Sequence, residues 1–341
     1  MVHNLTPWWS IVGALAGLLV LAWVFSRVEY GRIFEVLNQT NTVYVLMLPF
    51  VIAAEQFVRA WKWRQLLFAI RPIGTLRLFG AIMAGYFANI LFPFGISPIA
   101  RSWLIARLED LKMSTVLATA AIDRLVDGLV FTGFVAVVVA FAIFPDPTSN
   151  IRQGLIVGGA GSFFLFTLLL FGLSRFKHRV ARPDTWITRL SGRLPARLAG
   201  PVQKLVPSFA QGVVWPQEAW RGLGIVIASI VIKLIAISHF LLAGLAFGLV
   251  LHPLDYVFLV VFLGFLIILS RLARIPGGFF VGAIFALDLL GVPKEEALSM
   301  VLLVQVSSLL AIVSIGAFAL WWSGIALDEL RLGKADAVKG S

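Results

Sequence analysis

The sequence contains no cysteine. Disulfides, zinc–thiolate sites and thiol catalysis are therefore excluded. Charge is also scarce: 13% of the 341 residues are charged, against 60% hydrophobic. A soluble domain has no use for so much apolar surface, so the composition predicts a polytopic membrane protein. Histidine is sparse and scattered, at His3, His178, His239 and His252. Gly-x-Ser-x-Gly, His-Glu-x-x-His, Walker and Gly-x-Gly-x-x-Gly patterns are missing, and so is an Asp-x-Asp pair. No metal and no cofactor is expected, and the direction is away from an enzyme. No Lys or Arg precedes the apolar run 8–25. A cleaved signal peptide opens on basic residues, so this run is read as a retained helix.

What is present in abundance is apolar sequence. Runs fall at 8–26, 43–61, 78–92, 97–107, 115–144, 154–174, 222–250, 255–271, 275–291 and 297–323. Trp8/Trp9, Trp61/Trp63 and Trp321/Trp322 fit interfacial aromatic belts. The net charge of +11 comes from basic residues lying mostly between the runs, as in loops facing anionic lipid. With the N-terminus in the cytoplasm, the inside loops and tail hold 20 of the 28 Lys and Arg and the outside loops only 4. That asymmetry predicts cytoplasmic N- and C-termini in the inner membrane. The stretch 175–204 carries eight Lys/Arg against one Asp and is expected to be a basic amphipathic surface element.

Two runs are too short to span. The run 97–107 would reach only about 16 Å as a helix, roughly half the hydrocarbon core. It follows Pro93-Phe94-Gly95-Ile96-Ser97-Pro98, where two prolines break a helix and Ser97-Pro98 offers a helix start. Pro276-Gly277-Gly278 makes a similar break later. Both read as re-entrant broken-helix hairpins. The topology count puts one base inside and one outside, which is the inverted repeat of many transporters, with sites at the midplane.

Charges inside the runs mark candidate chemistry. Arg124, flanked by Asp123 and Asp127, sits about 12–18 Å into its run by helical rise. A charge at that depth costs at least about 2.5–3.5 kcal/mol, so it needs a partner and a function or a packing role. Asp123 and Asp127 share a helix face, and Arg124 reaches Asp127 at i+3. Arg124 could bind a lipid phosphate while an Asp relays a proton or orients it. The alternative is a buried ion group tying helices together. Arg101, in the first turn after Pro98, joins a positive helix end that favours an anion, with Ser97 adding a hydroxyl, or else it snorkels to the headgroups. Lys233 lies too deep to snorkel easily and needs a carboxylate such as Asp123 or Asp127. Glu55 and Arg59 form an i, i+4 pair beside Trp61-Lys62-Trp63-Arg64, which reads as interfacial anchoring. His239 fits helix packing, and Gln305, Ser307 and Ser308 fit helix glue. The pairs Gly13/Gly17, Gly154/Gly158 and Gly244/Gly248 fit packing faces.

Four elements in order carry a resemblance: Lys62-Trp63-Arg64-Gln65-Leu66-Leu67; Asn89, Pro93 and Arg101; Asp123-Arg124-Leu125-Val126-Asp127; and Pro276-Gly277-Gly278. Together they resemble the lysylphosphatidylglycerol synthase transmembrane-region family, also called flippase-like membrane proteins, over nearly the whole chain. Where that family often has Gly-Glu in the first hairpin this chain has Ser97-Pro98, and where it often has Glu after Pro-Gly-Gly this chain has Gly282-Ala283. The resemblance implies lipid handling rather than lysyl-lipid synthesis.

The expectation is therefore an all-α polytopic transmembrane helix bundle, a single membrane domain over 1–341. Its halves are 8–174 and 222–323, joined by a basic cytoplasmic loop at 175–221 and followed by a tail at 324–341. It would move an anionic or polar-headgroup lipid between leaflets. Arg101, Arg124, Ser97, Asn89 and Lys233 would bind the lipid. Asp123, Asp127, Glu55 and Arg59 would relay protons or orient the cations. Pro93, Gly95, Pro98, Pro276, Gly277 and Gly278 would shape the hairpins. The expected partners are a membrane lipid (phospholipid, glycolipid or hopanoid-like), the bilayer, and a partner enzyme or a second copy of the chain, with no nucleic acid. The alternative is a non-catalytic scaffold for a lipid-modifying enzyme.

Overall fold

Among the described residues, the apolar runs from 43 onward fold as helices close to the bounds read from sequence, and the run 8–26 lies outside the described residues. A computed structural model describes residues 40–91, 97–142, 150–180, 196–273 and 278–324. Their helices, in chain order, are α1 (Thr42–Leu67), α2 (Thr75–Leu91), α3 (Ser97–Leu108), α4 (Met113–Phe141), α5 (Asn150–Val180), α6 (Ala196–Gly212), α7 (Ala219–Ala246), α8 (Pro253–Ala273), α9 (Gly278–Leu289) and α10 (Lys294–Ser323). The described residues contain no strand. Five helices, α1, α4, α5, α7 and α10, are long and apolar enough to cross a membrane. Lipid offers a backbone no hydrogen bonds, so a spanning segment must satisfy its own, which a helix does. The chain is a multi-pass helical membrane protein.

The helices belong to two compact units that interleave along the chain. One comprises residues 1–51, 131–161 and 235–308, the other 52–130, 162–234 and 309–341. Within the second unit, α2 packs on α3. Its core holds Trp63, Leu66, Leu78, Ile82, Leu104, Ile105, Val116 and Ile122. The contact is tight because Gly85 has no side chain. A Cβ there would lie 3.0 Å from the Ser97 carbonyl and 3.2 Å from the Arg101 Cβ. On another side of α2, Gly316 of α10 lets the backbones meet, since a Cβ would come within 2.6 Å of the Met83 carbonyl oxygen.

Within the first unit, α8 packs on α9. Its core gathers Phe240, Tyr256, Leu259, Leu287 and Met300, with Phe131, Val135 and Phe258 in a second cluster. Each unit thus holds one helix pair whose second member is short: α3 and α9 both have 12 residues, about 18 Å at the standard rise. Pro98 stands in the first turn of α3 and Gly278 opens α9. Pro93, Gly95, Pro276 and Gly277, the remaining hairpin positions, lie outside the described residues, as does the Gly13/Gly17 pair.

Three helix ends share one stop. Leu111 N–H donates to the Ala106 carbonyl, Leu249 N–H to Gly244 and Val292 N–H to Leu287. This is the six-to-one bond of a left-handed cap. The capping residues are Asp110 (φ 52°), Gly248 (φ 67°) and Gly291 (φ 77°).

Several expectations are corrected. The basic stretch 175–204 is not one loop element: α5 runs on to Val180 and α6 begins at Ala196. α6 also packs on α4. The Thr115 hydroxyl donates to the Ser208 carbonyl at 2.7 Å, and Phe209 meets Phe176 edge-on at 6.2 Å. Trp63 is not an interfacial anchor, because α1 continues to Leu67 and buries the indole completely. Gly154 faces open space, whereas Gly158 packs under Phe265 and Gly244 under Tyr256. Ser307 and Ser308 bond first to the Val304 carbonyl of their own helix, and Ser307 also meets the buried His239 at 3.3 Å.

Candidate functional site

The ionisable residues inside the apolar helices of the second unit converge. The C-terminal part of α1 supplies Glu55, Gln56, Arg59, Lys62 and Trp63, spaced to fall on one side of the helix. α3 supplies Arg101, α4 supplies Asp123 and Asp127, and α7 supplies Ser229 and Lys233.

Lys62 is the centre of this group and was not singled out by the sequence. It is completely buried. Its ammonium lies 2.8 Å from Asp123 Oδ1 and 2.5 Å from Asp127 Oδ1. It also approaches the Ser229 hydroxyl at 3.3 Å. Of the three donors of the ammonium, Asp127 and Ser229 accept two, whereas Asp123 is an ion-pair partner whose two carboxylate oxygens have no hydrogen-bond partner among the described residues. Arg59 is matched fully: Nε donates to Gln56 Oε1 at 3.1 Å, Nη1 to Asp127 Oδ2 at 3.1 Å and Nη2 to Glu55 Oε1 at 2.8 Å. The Glu55–Arg59 pair expected from the i, i+4 spacing is therefore present, with Asp127 as a third member.

Arg101 is different. It is 1% exposed, yet none of its three guanidinium nitrogens has a hydrogen-bond partner among the described residues. Its Nη2 lies 3.6 Å from Asp123 Oδ2, beyond a hydrogen bond. The planar group is held over the Trp63 ring, 4.7 Å from the centroid, as a cation–π contact. Trp63 is fixed in turn by its Nε1–H donating to Thr119 Oγ1 at 3.0 Å. Arg101 is thus oriented without being hydrogen-bonded.

Arg124 departs from the expected i+3 pair with Asp127. Asp127 is taken by Arg59 and Lys62, and Arg124 Nη2 instead approaches the Tyr86 hydroxyl at 3.4 Å. Arg124 is accessible from outside the protein while lying close to the charges of Arg59, Asp123 and Asp127. Tyr86 is in electrostatic reach of Arg59, Arg101 and Arg124 together. Lys233 is half-buried and feels Asp127 first, then Arg59 and Glu55, so the expected carboxylate neighbour is Asp127.

Of the polar candidates, Ser97 is buried at the start of α3 with its hydroxyl against Gly85. Asn89 is half-buried near the end of α2, and its Oδ1 has no partner among the described residues. The second unit thus gathers Arg59, Lys62, Arg101, Arg124, Lys233, Asp123, Asp127 and Glu55. Sequence reasoning missed Lys62, Trp63, Gln56, Tyr86, Thr119 and Ser229. A signal was present for Lys62 alone: it lies seven residues after Glu55 and three after Arg59, on the same face of α1.

Chemically, the arrangement separates two kinds of cation. Arg59 and Lys62 are locked by carboxylates and amides. Arg101 and Arg124 keep donors for something else. Arg presents a planar fork matched to phosphate or carboxylate.

A family model described as the lysylphosphatidylglycerol synthase TM region matches residues 10–325. The chain belongs to that family, as the four motifs suggested. No curated protein and no solved structure matches it.

Proposed function

We propose that this protein moves a lipid with an anionic headgroup between the leaflets of the cytoplasmic membrane. The observation that carries the reading is the contrast between two buried arginines of one unit. Arg59 has every nitrogen hydrogen-bonded, and Arg101 has none bonded among the described residues. Leaving donors of a buried charged group unmet costs about 1–3 kcal/mol or more, and a site that binds and releases an anion has to tolerate that cost. Arg101 and Arg124 hold the headgroup phosphate, with Ser97 and Asn89 as hydrogen-bonding neighbours and Lys233 adding charge. Lys62, Asp123, Asp127 and Arg59 form the frame that keeps the arginines in place. Glu55, with one ion-pair partner and a side chain 14% exposed, is the carboxylate best placed to exchange a proton. The exposed basic residues Arg71, Arg77, Arg175, Lys177 and Arg179 would face anionic lipid in the cytoplasm. The two short helices α3 and α9 would be the half-helices of re-entrant hairpins.

A second reading rests on the family's description, which names a synthase: a non-catalytic membrane partner of a lipid-modifying enzyme. The test is transbilayer movement of fluorescent phospholipids in proteoliposomes, with and without a pH gradient, comparing wild type with Arg124→Ala. Arg124 is exposed, so this variant folds. Movement in wild type and its loss in the variant support translocation. Equal movement in both removes Arg124 from the site. Stable co-purification with a lipid-modifying enzyme, and no movement of any lipid, favour the partner reading.

A further inference from the structure

The site is unevenly charged. Among the described residues of the second unit five cations (Arg59, Lys62, Arg101, Arg124 and Lys233) face three carboxylates (Glu55, Asp123 and Asp127). With every group ionised, two positive charges are left over. Uncompensated charge is costly both when buried, as at Arg101, and when exposed along a membrane-spanning helix, as at Arg124. A partner carrying two negative charges removes the excess, and a partner carrying one leaves half of it.

The uncompensated charge is localised. Arg59 and Lys62 each meet carboxylates within 3.1 Å. Among the described carboxylates Arg101 meets only Asp123, at 3.6 Å, and Asp123 is already 2.8 Å from Lys62. Arg124 contacts the neutral Tyr86 hydroxyl. Of the four cations whose contacts are given above, Arg59, Lys62, Arg101 and Arg124, the carboxylates answer Arg101 and Arg124 least, and Tyr86 lies within electrostatic reach of both. Two guanidinium forks and a phenol provide donors on several sides of one anion, as a phosphate with three terminal oxygens needs.

We infer that the headgroup taken at Arg101, Tyr86 and Arg124 is a phosphomonoester carrying about two negative charges, rather than a phosphodiester carrying one. This rests on the anionic-lipid reading and narrows it. Near pH 7 a phosphomonoester carries about −1.5 to −2, with a second pKa of about 6. A phosphodiester stays at one charge and has one fewer terminal oxygen, two against three, since a second oxygen is esterified. A zwitterionic headgroup brings one phosphate charge together with a cation of its own and removes none of the net excess, and a neutral headgroup leaves both arginines unanswered.

The test is lipid binding to the purified full-length protein in mild detergent, by native mass spectrometry. The probes are phosphatidic acid, phosphatidylglycerol and phosphatidylcholine with identical acyl chains, and glycerol 3-phosphate as the tail-free phosphomonoester. The expected result is phosphatidic acid binding at least about tenfold more tightly than phosphatidylglycerol at pH 7.5. The advantage shrinks at pH 5, where the ligand loses its second charge. It is also lost in Arg101→Gln and reduced in Arg101→Lys, which keeps the charge without the fork. The wild-type comparison needs no variant, so it stands even where Arg101→Gln does not fold. Equal binding of phosphatidic acid and phosphatidylglycerol, both weakened in Arg101→Lys, overturns the phosphomonoester and keeps the anionic-lipid reading. Binding of every lipid indifferent to Arg101 overturns both. Glycerol 3-phosphate binding as tightly as phosphatidic acid keeps the phosphomonoester chemistry and removes the lipid as its source.

Discussion

The Arg101 guanidinium lies over the face of the Trp63 indole, 4.7 Å from the ring centroid, and both side chains are buried. The contact holds a cation in place without using any of its N–H donors. Removing the ring should release the arginine. Trp63→Leu loses a cation–π contact of about 0.5–2 kcal/mol and the bond to Thr119. Headgroup binding should weaken, and thermal unfolding in detergent should fall by several degrees. Trp63→Phe keeps a ring face and loses only the Thr119 bond, so it should retain most of the lipid binding at a smaller cost in stability.

Lys62 should be the least replaceable residue of the cluster. Lys62→Met leaves Asp123 and Asp127 buried with fewer counter-charges, a loss of about 3–5 kcal/mol for a broken buried pair. The expected outcome is poor expression or a large drop in melting temperature. Adding Asp127→Asn to Lys62→Met should recover part of that loss, because one unanswered charge is removed together with its partner. A double variant no more stable than Lys62→Met alone would contradict this.

Much of this was legible in the sequence, and the failures are local. The run read at 115–144 is the helix Met113–Phe141, and the run at 97–107 is Ser97–Leu108. Apolar length and the Ser-Pro start fix such elements without tertiary information. The Glu55–Arg59 pair was legible because i, i+4 neighbours meet on any helix. Lys62 and Trp63 were misread because a Lys-Trp end to an apolar run looks like an interfacial anchor. Only the continuation of α1 to Leu67, and α3 and α4 packing over it, turn those residues inward. The Arg124–Tyr86 contact joins residues 38 apart, and no short-range spacing specifies it.

Gly316 should tolerate no side chain. A Cβ would sit 2.6 Å from the Met83 carbonyl oxygen and 2.7 Å from the Phe87 Cβ. Backbone cannot yield cheaply there, so Gly316→Ala should cost about 1–3 kcal/mol. Gly154→Ala, facing open space, should be nearly neutral. Melting curves of the two purified variants in the same detergent check the contrast.

Asp110 occupies a left-handed position (φ 52°) at the end of α3. Glycine adopts this conformation at no steric cost. Asp110→Gly should stabilise the protein by on the order of 1 kcal/mol, and Asp110→Val should destabilise it. A rise in melting temperature for the first and a fall for the second, with lipid binding unchanged in both, is the expected outcome.

The central claim is that a lipid phosphate sits among Tyr86, Arg101 and Arg124. The most direct measurement is photo-crosslinking with a phospholipid bearing a diazirine beside its phosphate, followed by peptide mapping of the adducts. The account predicts adducts on the segments of α2, α3 and α4 that carry those three residues, displaced by unlabelled anionic lipid and diminished in Arg124→Ala. Adducts confined to helices such as Gly278–Leu289, with α2 to α4 unlabelled, would contradict it.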